Sequence, residues 1–467
     1  MRDFATSDSP AVQAQLDRLA ALSLPQGRFG LETIRALLDR LGNPQRALPP
    51  VFHVAGTNGK GSTCAFLRAI LEAQGLTVHA ATKPHLVRYN ERIRIAGKLI
   101  EDQLLADLLA EVLNAGEDLA PSFFEVTAAA TFLAFHRIPA DVCVIEVGLG
   151  GRFDATNVLD GQAACGIASL GIDHEAFLLV PEEGVPQEPL CRIAFEKAGI
   201  ARAGVPLVTQ AYPPAVTRTV IEQAMVAGAK TALRGLDWFA EVGETIEYRD
   251  RHGALSLPLP QLAGTHQADN AALAVAMLRH QDQVAISSEA IAAGIRAARW
   301  PARLQLLGKG PLTSLVPGRR VWLDGGHNVD AGLAIARFFA ANAALGLRQA
   351  QPERVLSKGI TPASAQPEPV ERHAQHLHLI TGMLTSKDPA AIVAPLRGML
   401  RSLSVVPAPG HDAHQPEDFA PHSDLPVRSF TDVPAALAAL PSGGDVLIAG
   451  SLYLAGEVLR LNREFPD

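Results

Sequence analysis

The chain has 467 residues, of which 48% are hydrophobic, and its 41 Lys and Arg against 48 Asp and Glu give a formal net charge of −7. This length suits two large α/β domains or about three smaller ones, and ordinary contents of Gly (39) and Pro (33) exclude a collagen-like or largely disordered chain. The mildly acidic balance argues against a general nucleic-acid-binding protein, which needs a positive surface to displace the counterions of phosphate.

The chain shows no targeting or membrane signal. Its first ten residues, MRDFATSDSP, contain no apolar run, and no later segment reaches the length of a bilayer-spanning helix. We therefore expect a cytoplasmic protein. The four cysteines form no C-x-x-C pair, so we expect small core residues in place of disulfides or a zinc site. They are Cys64, Cys143, Cys165 and Cys191.

Short β-branched runs, each followed by a glycine-containing turn and a helical stretch, recur along the chain. This alternation is typical of βαβ units and predicts an α/β fold with a parallel, doubly wound sheet. Predicted strands cover 51–55, 141–147, 166–170, 205–209, 321–323, 377–381 and 446–449. Predicted helices cover 62–74, 122–137, 267–280, 329–341 and 435–440.

The alternation is interrupted at three places. A proline follows a helix at Arg299-Trp300-Pro301, and we place a domain boundary there, between residues 1–298 and 299–467. Two other stretches, 179–190 and 349–375, are rich in proline and polar residues. We predict that both are surface insertions.

Residues 51–63 read VFHVAGTNGKGST, which is an apolar strand, a glycine-rich turn, and then a lysine and two hydroxyls at the start of a helix. Backbone N–H groups in such a turn form an anion cradle, while Lys60 can reach terminal phosphates and a hydroxyl can bind Mg²⁺. The spacing is not the standard one, because only Thr57 and Asn58 separate Gly56 from Gly59-Lys60. An ordinary glycine turn is the alternative, but the coincidence of these residue types favours a phosphate loop.

Polar residues follow three other predicted strands. Glu146 ends an apolar strand, where a carboxylate is costly unless a cation or hydrogen-bond donors accept it. We interpret it as a metal ligand, with a structural acid bonded to backbone N–H groups as the alternative. His174 follows another strand, although by itself it would be taken for a surface histidine. Asp324 and His327 follow a late strand, where a tight turn of solvated polar residues is equally compatible.

Taken together, the motifs resemble the bacterial dihydrofolate synthase/folylpolyglutamate synthase family of the Mur ligase superfamily. The matching segments follow the order of the family over nearly the whole chain. They are HVAGTNGKGST (53–63), PHLVRYNERIRI (84–95), SFFEVTAAATFLAF (122–135), VIEVGLGGRFDATNVLD (144–160), FEKAGI (195–200), HQADNAALA (266–274), LDGGHNVDA (323–331) and GSLYLAGEVL (450–459).

The resemblance implies a P-loop ATPase domain and a smaller Rossmann-like C-terminal domain, with ATP and the reacting groups between them. It implies an ATP-dependent amide ligase that adds L-glutamate to dihydropteroate, and to reduced folates, through an acyl phosphate. The cofactors would be ATP and one or two Mg²⁺ ions. We expect small-molecule substrates, no nucleic-acid or membrane partner, and a monomer.

The resemblance also implies the site residues. ATP contacts would be Thr57, Asn58, Gly59, Lys60, Gly61, Ser62, Asn270, Arg303 and Asp324. Metal ligands would be Ser62, Glu146, His174 and, as a carbamate, Lys197. Substrate contacts would be Gly27, Arg28, Phe29, Ser122, Phe123, Phe124, Glu125, Phe153, Asp154 and Ala155. The catalytic residues would be Lys60, His174 and Lys197, although Lys197 by itself would be taken for a solvated helix lysine.

The sequence departs from the family pattern at Lys83, where the family usually has a serine whose hydroxyl binds a metal. An ammonium group cannot ligate Mg²⁺ and repels it at close range, so we expect the side chain to point away from the ion. Thr82 or a water would then take the serine's place, or Lys83 would reach a phosphate or a substrate carboxylate. In the alternative interpretation the loop has shifted and Lys83 is solvated.

Two other departures concern loops. The stretch after His174 is longer than usual, so the loop that leads to Lys197 is expected to be reshaped. The 349–375 insertion lies far from the matched motifs and is expected not to touch the chemistry.

Two other functions compete with this interpretation. One is a Mur-type ligase that acts on a cell-wall nucleotide precursor, against which the GKGS and FDATN segments argue. The other is a nucleotide-gated binding protein without ligase activity. The sequence does not decide whether both folate activities are present or how many glutamates are added.

Overall fold

The structure is a computed structural model that describes residues 6–21, 30–349 and 377–467. Its contacts divide the chain into two compact units, Met1–Pro301 with Phe465–Asp467, and Ala302–Glu464. Pro301 belongs to the proline-interrupted stretch at which the sequence analysis places a domain boundary.

The first unit is built on an eight-stranded sheet of order β4-β3-β2-β5-β1-β6-β7-β8. Neighbouring strands from β2 to β8 in this order are parallel, and β3 and β4 add an antiparallel edge. The strands are β1 (Val51–Ala55), β2 (Val78–Ala81), β3 (Ile93–Ile95), β4 (Lys98–Leu99), β5 (Val142–Glu146), β6 (Gln162–Ile167), β7 (Pro206–Thr209) and β8 (Lys230–Leu233). The α/β fold class is confirmed, with a sheet that is mixed at one edge.

Helices cover both faces of this sheet, as a doubly wound fold requires. They are α1 (Pro10–Ala21), α2 (Glu32–Arg40), α3 (Lys60–Ala73), α4 (Asp102–Gly116), α5 (Phe123–Arg137), α6 (Glu175–Leu178), α7 (Pro189–Ala198), α8 (Pro214–Ala227), α9 (Thr265–Arg279) and α10 (Ser288–Ala297). Alternate residues of β5 belong to two different apolar clusters. Val142 and Val144 pack with α3, α9 and α10, whereas Cys143 and Ile145 pack with α1, α2, α4 and α5.

A second sheet in this unit was not predicted. It is antiparallel, of order β11-β10-β9, and its strands are β9 (Trp238–Val242), β10 (Ile246–Asp250) and β11 (Gly253–Leu257). Ile246 and Tyr248 are buried while Glu247 and Arg249 are exposed. This period-two pattern marks a strand with one solvent-exposed face, whereas the predicted strands are apolar runs followed by helices.

The second unit holds a six-stranded sheet of order β12-β13-β17-β14-β15-β16, in which only the β12–β13 pair is antiparallel. Its strands are β12 (Gln305–Leu306), β13 (Val321–Leu323), β14 (Leu377–Thr381), β15 (Leu400–Val405), β16 (Val427–Ser429) and β17 (Asp445–Ala449). Its helices are α11 (Val329–Gln349), α12 (Ala390–Leu396), α13 (Pro416–Phe419), α14 (Val433–Ala438) and α15 (Leu452–Asn462). A smaller, mostly parallel α/β second domain is thereby confirmed.

Some sequence predictions need correction or fall outside the described residues. The strand predicted at 166–170 is wrong in its bounds, because β6 ends at Ile167 and the following residues bond to the turn after β1. Residues 350–375 of the predicted 349–375 insertion lie outside the described part of the chain. The four cysteines are free and buried, as predicted. Among the described helices, none combines the length and hydropathy needed to cross a membrane.

Candidate active site

The turn between β1 and α3 packs tightly against α9. Gly59 has φ +84°, and a Cβ atom there would lie 2.3 Å from Oδ1 of Asn270. Gly56 is also left-handed, and its Cβ would lie 2.9 Å from the Cβ of Ala168. Glycine is therefore required at both positions. The structure brings Gly59 and Asn270 together, two residues that the sequence analysis assigns to ATP.

The segment after β6 holds the same turn from its other side. Thr57 donates its N–H to the Ser169 carbonyl (2.7 Å) and its hydroxyl to the Gly171 carbonyl (2.8 Å). The Ser169 hydroxyl donates to the Asn58 carbonyl at 3.1 Å. These three hydrogen bonds fix the turn without a ligand. A phosphate cradle needs this preorganisation.

Lys60 lies in the first turn of α3 and its ammonium group folds back over the loop. Nζ donates to the carbonyls of Gly56 (2.9 Å) and Thr57 (3.1 Å). Both acceptors are neutral, so the positive charge is available to an anion. Ser62, in the same first turn of α3, is almost fully buried.

Glu146 is buried at the end of β5, next to β1. Its Oε2 accepts the backbone N–H of Lys83 at 2.9 Å. Burial raises the pKa of the Cys64 thiol on α3; the charge of Glu146 adds to the rise, and that of Lys60 opposes it. Glu146 and Lys60 therefore act on the same small region, although they are 86 residues apart in sequence.

Lys197 is buried near the end of α7, with only 4% of its surface exposed, so the interpretation as a solvated helix lysine is wrong. Burial, followed by the charge of Lys60, lowers the pKa of its ammonium group to about 7, against the opposing charges of Asp173, Asp154 and Glu196. A lysine with so low a pKa is largely a neutral amine above pH 7.

His174 begins the short helix α6, with a left-handed backbone of φ +55°. Its N–H is bonded to Oδ1 of Asp173 at 2.7 Å. The imidazole is half-buried. Because Asp173 acts on Lys197, the start of α6 belongs to the same charged region as the end of α7.

The glycine-rich turn after β5 lies against the end of α7. A Cβ at Gly151 would lie 2.7 Å from the Glu196 carbonyl, and one at Gly199 would lie 2.6 Å from Cα of Arg152. Inside the turn, Asp154 accepts hydrogen bonds from the N–H groups of Gly148, Leu149 and Thr156 and from the Thr156 hydroxyl. The Asp154 carboxylate thus shapes the turn that carries Phe153 and Ala155.

The other substrate segment opens α5. Ser122 and Glu125 cap this helix reciprocally, since Glu125 Oε2 accepts from both the N–H (2.8 Å) and the hydroxyl (2.7 Å) of Ser122. The ring of Phe123 meets those of Tyr89 (5.9 Å between centroids) and Phe124 (5.5 Å) edge to face. The guanidinium of Arg152 lies 4.2 Å from the ring centroid of Phe153. The predicted contacts Gly27, Arg28 and Phe29 lie outside the described residues.

Arg303 and Asp324 lie close together in the second unit. Asp324 follows β13, is buried, and accepts from the N–H groups of Leu304 (2.8 Å) and Gly326 (2.6 Å). Nη1 of Arg303 lies 2.9 Å from where a Cβ of Gly325 would stand. The other described site residues all belong to the first unit.

Sequence reasoning missed a network of ion pairs behind the site. Arg152 and Arg192 both bind Glu182 (2.6 and 2.9 Å) and Glu196 (2.8 and 3.0 Å). Glu182 belongs to the predicted 179–190 insertion, which is mostly exposed as expected. Only a three-dimensional structure could pair it with Arg152, because 30 residues of unrelated pattern separate them.

His53 is a second missed residue, and in this case the sequence did carry a signal. It is a polar side chain within the apolar strand VFHVA, the same cue that singles out Glu146. It is buried in β1 and bonds to the Thr156 hydroxyl at 2.8 Å. Burial lowers the pKa of its imidazole to about 3, so it is neutral at physiological pH.

The donor chemistry of the first unit fits a divalent cation bound with its substrate. Mg²⁺ prefers oxygen ligands, and in phosphoryl-transfer sites it uses one or two carboxylates together with substrate phosphates and waters. Glu146 and Ser62 supply a carboxylate and a hydroxyl near Lys60. Among the described residues, no three His, Cys, Asp or Glu side chains form a metal-binding group by themselves.

Comparison with known proteins assigns the chain. No protein-family model matches it. It is 32% identical over 441 residues, 93% of this chain and 91% of the other, to the dihydrofolate synthase/folylpolyglutamate synthase of Escherichia coli K12. The chain belongs to the dihydrofolate synthase/folylpolyglutamate synthase family.

Solved structures of the family agree in fold. The E. coli FolC in complex with DHPP and ADP has a TM-score of 0.76 at 30% identity and covers 97% of both chains. A bifunctional folylpolyglutamate synthase/dihydrofolate synthase with Mn, AMPPNP and L-glutamate bound has a TM-score of 0.77 at 28% identity, over 97% of this chain and 98% of the other. The chain is therefore an ATP-dependent glutamate ligase of the dihydrofolate/folylpolyglutamate synthase type. This function replaces the two alternatives of the sequence analysis, a cell-wall ligase and a nucleotide-gated binding protein.

Proposed function

We propose that this ligase adds L-glutamate both to dihydropteroate and to reduced folates, through an acyl phosphate formed at the turn between β1 and α3. The observation that carries the proposal is the preorganised turn of Lys60, together with the charges of Glu146 and Lys197, which act on the same region. Relatives with ADP and DHPP, or with AMPPNP, Mn and L-glutamate, support the same ligand set.

Forming an amide from a carboxylate requires activation, because oxide is a poor leaving group. A carboxylate oxygen of the pteroate or folate attacks the γ-phosphorus of ATP, and ADP leaves. The glutamate amine then attacks the acyl carbon, phosphate leaves with the transferred oxygen, and the amine nitrogen loses a proton. The reaction needs no protein nucleophile.

The protein's contribution to the first step is electrostatic and positional. The N–H groups of the turn and the ammonium of Lys60 would hold the phosphates. Ser62, Glu146 and His174 would hold Mg²⁺, which when bound offsets negative charge on the transferring phosphoryl group. Lys197, as a carbamate, would provide one further oxygen ligand.

The acid substrate would contact aromatic side chains at the start of α5 and in the turn after β5. Phe123, Phe124 and Phe153 offer ring faces that suit a flat pterin. Asn270, Arg303 and Asp324 remain our proposed ATP contacts. We also propose that the protein is a monomer.

Phosphate release from ATP and Mg²⁺, with and without glutamate and each acid, tests this proposal. We expect release to require an acid, with both dihydropteroate and tetrahydrofolate active. Hydroxylamine in place of glutamate should intercept the intermediate as a hydroxamate of the acid. If neither acid stimulates release and no hydroxamate forms, the proposal fails.

A further inference from the structure

Lys83 stands where the family usually has a serine whose hydroxyl binds a metal. It follows β2, and its backbone N–H is bonded to Glu146 at 2.9 Å. Its ammonium nitrogen is buried, so the interpretation of a solvated side chain is wrong. The hydroxyl of Thr82 donates to the Glu91 carbonyl at 3.4 Å.

The lysine side chain lies over the glycine-rich turn after β5. A Cβ at Gly148 would stand 3.2 Å from Cδ and 3.3 Å from Nζ of Lys83, and 3.1 Å from Oδ2 of Asp154. The missing side chain of Gly148 therefore leaves room for the ammonium group beside the Asp154 carboxylate. The ammonium end of the Lys83 side chain therefore lies at the turn that carries the proposed substrate contacts Phe153 and Ala155.

Nζ of Lys83 has no hydrogen-bond partner among the described residues. Asp154 neutralises part of the charge: its own burial opposes ionisation, but the charge of Lys83 and the hydrogen bonds of the turn outweigh this and lower its pKa. The four hydrogen bonds that Asp154 accepts come from the turn itself. Burying an ammonium group without hydrogen bonds is costly, so the folded protein sustains an unfavourable arrangement here.

We propose that Lys83 is a substrate-binding residue whose ammonium group binds an anionic oxygen of a substrate, either the carboxylate of the acid or the terminal phosphate of ATP. A carboxylate or phosphoryl oxygen would accept the hydrogen bonds that the protein does not satisfy. This inference rests on the proposed function for the identity of the two substrates. It adds a fixed cation to a site that we otherwise assign to Lys60 and Mg²⁺.

If Lys83 serves to bind a ligand, its buried charge should lower the stability of the ligand-free protein. If Lys83 has a structural role, removing it should lower that stability instead. In Lys83→Met the side chain keeps its approximate length but loses the charge. We expect a higher Tm for the ligand-free variant, because an incompletely compensated buried charge is removed. We also expect KM to rise about tenfold or more for one substrate, as for the loss of a charge-assisted hydrogen bond.

The arms of the experiment identify the substrate. A raised KM for dihydropteroate with an unchanged KM for ATP assigns the carboxylate, and the reverse assigns the phosphate. Lys83→Arg, which keeps the charge, should recover part of the affinity. The matched control is Lys98→Met, an exposed lysine on β4 of the same unit, which should change neither Tm nor KM.

A lowered Tm with both KM values unchanged would show that Lys83 only supports Asp154 and would overturn the proposal. If Lys83→Met does not fold well enough for kinetics, calorimetry of AMPPNP and dihydropteroate binding to Lys83→Gln, which also removes the charge, and to wild type decides the question in the same way. Equal affinities would again overturn it. Loss of ligase activity in the wild type itself would count against the proposed function and not against Lys83.

Discussion

Two lysines of the site, Lys60 and Lys197, differ in how far the protein encloses them. Among the described residues, the Lys60 ammonium donates to carbonyls of its own loop, and Lys60 is not part of the apolar cluster in which α3 packs. Lys197, by contrast, is enclosed by protein. The two lysines therefore call for different tests, although both face the same region.

Replacing Lys60 by alanine should abolish turnover and leave the fold nearly intact. A positioned cation at a transferring phosphoryl group typically contributes about 100-fold or more to kcat. Phosphate release and Tm would be measured on the same preparation. The control is Lys230→Ala, an exposed lysine at the start of β8. Near-normal phosphate release in Lys60→Ala would contradict the cradle assignment.

Lys197 should carry a carbamate that forms more readily as pH rises. Carbamylation requires the neutral amine, and the pKa of about 7, lowered mainly by burial from the ordinary 10.5, makes this form abundant at pH 8 but scarce at pH 6. With ¹³C-labelled bicarbonate, we expect a carbamate NMR signal at pH 8 that weakens towards pH 6 and is absent from Lys197→Ala. A wild-type spectrum without this signal at pH 8 would refute the carbamate.

At the scale of elements, ion pairs hold the 179–190 stretch against the site, and glycines allow the neighbouring elements to pack closely. The 179–190 stretch is mostly exposed, and Glu182 joins it to Arg152 on the turn after β5 and to Arg192 on α7. Gly151 and Gly199 allow that turn and α7 to approach each other. The insertion thus braces the element that presents Lys197.

The Glu182 pairs should make the first unit sensitive to acid. Hydrogen bonds from Arg152 and Arg192 lower the pKa of Glu182 to about 2. A carboxyl group with a lowered folded-state pKa stabilises the protein above its unfolded value of about 4.5, and this contribution is lost as pH falls towards 2. Glu182→Gln should therefore lower the Tm at pH 7, and the difference from wild type should shrink between pH 5 and pH 2.

The neighbouring exposed residue provides the control for this experiment. Glu183→Gln removes the same charge one position away and should have little effect on Tm at either pH. Equal behaviour of the two variants would mean that the pairs contribute nothing measurable, as is common for exposed ion pairs.

At the scale of the whole molecule, the sequence predicted what depends on local pattern and missed what depends on distant partners. The strands at 321–323 and 377–381 have the predicted bounds, because each is a short, mostly apolar run bounded by polar residues or a glycine. Glu146 could be singled out since a carboxylate in an apolar strand is visible in one dimension. The burial of Lys197 could not, because a lysine near the end of an amphipathic helix has the same local pattern whether it is solvated or enclosed.

Transfer of a carboxylate oxygen to the released phosphate tests the acyl-phosphate mechanism directly. If the acid is activated as an acyl phosphate and both carboxylate oxygens of dihydropteroate are ¹⁸O, one of the two must leave with the phosphate when glutamate displaces it, and the other stays in the amide. A cell-wall ligase would not use this acid, and a nucleotide-gated binding protein would hydrolyse ATP with oxygen from water. Mass spectrometry of the released phosphate should therefore show one ¹⁸O per turnover in wild type and no labelled phosphate above background in Lys60→Ala. Unlabelled phosphate from an active wild-type enzyme would exclude the acyl phosphate while leaving the family assignment intact.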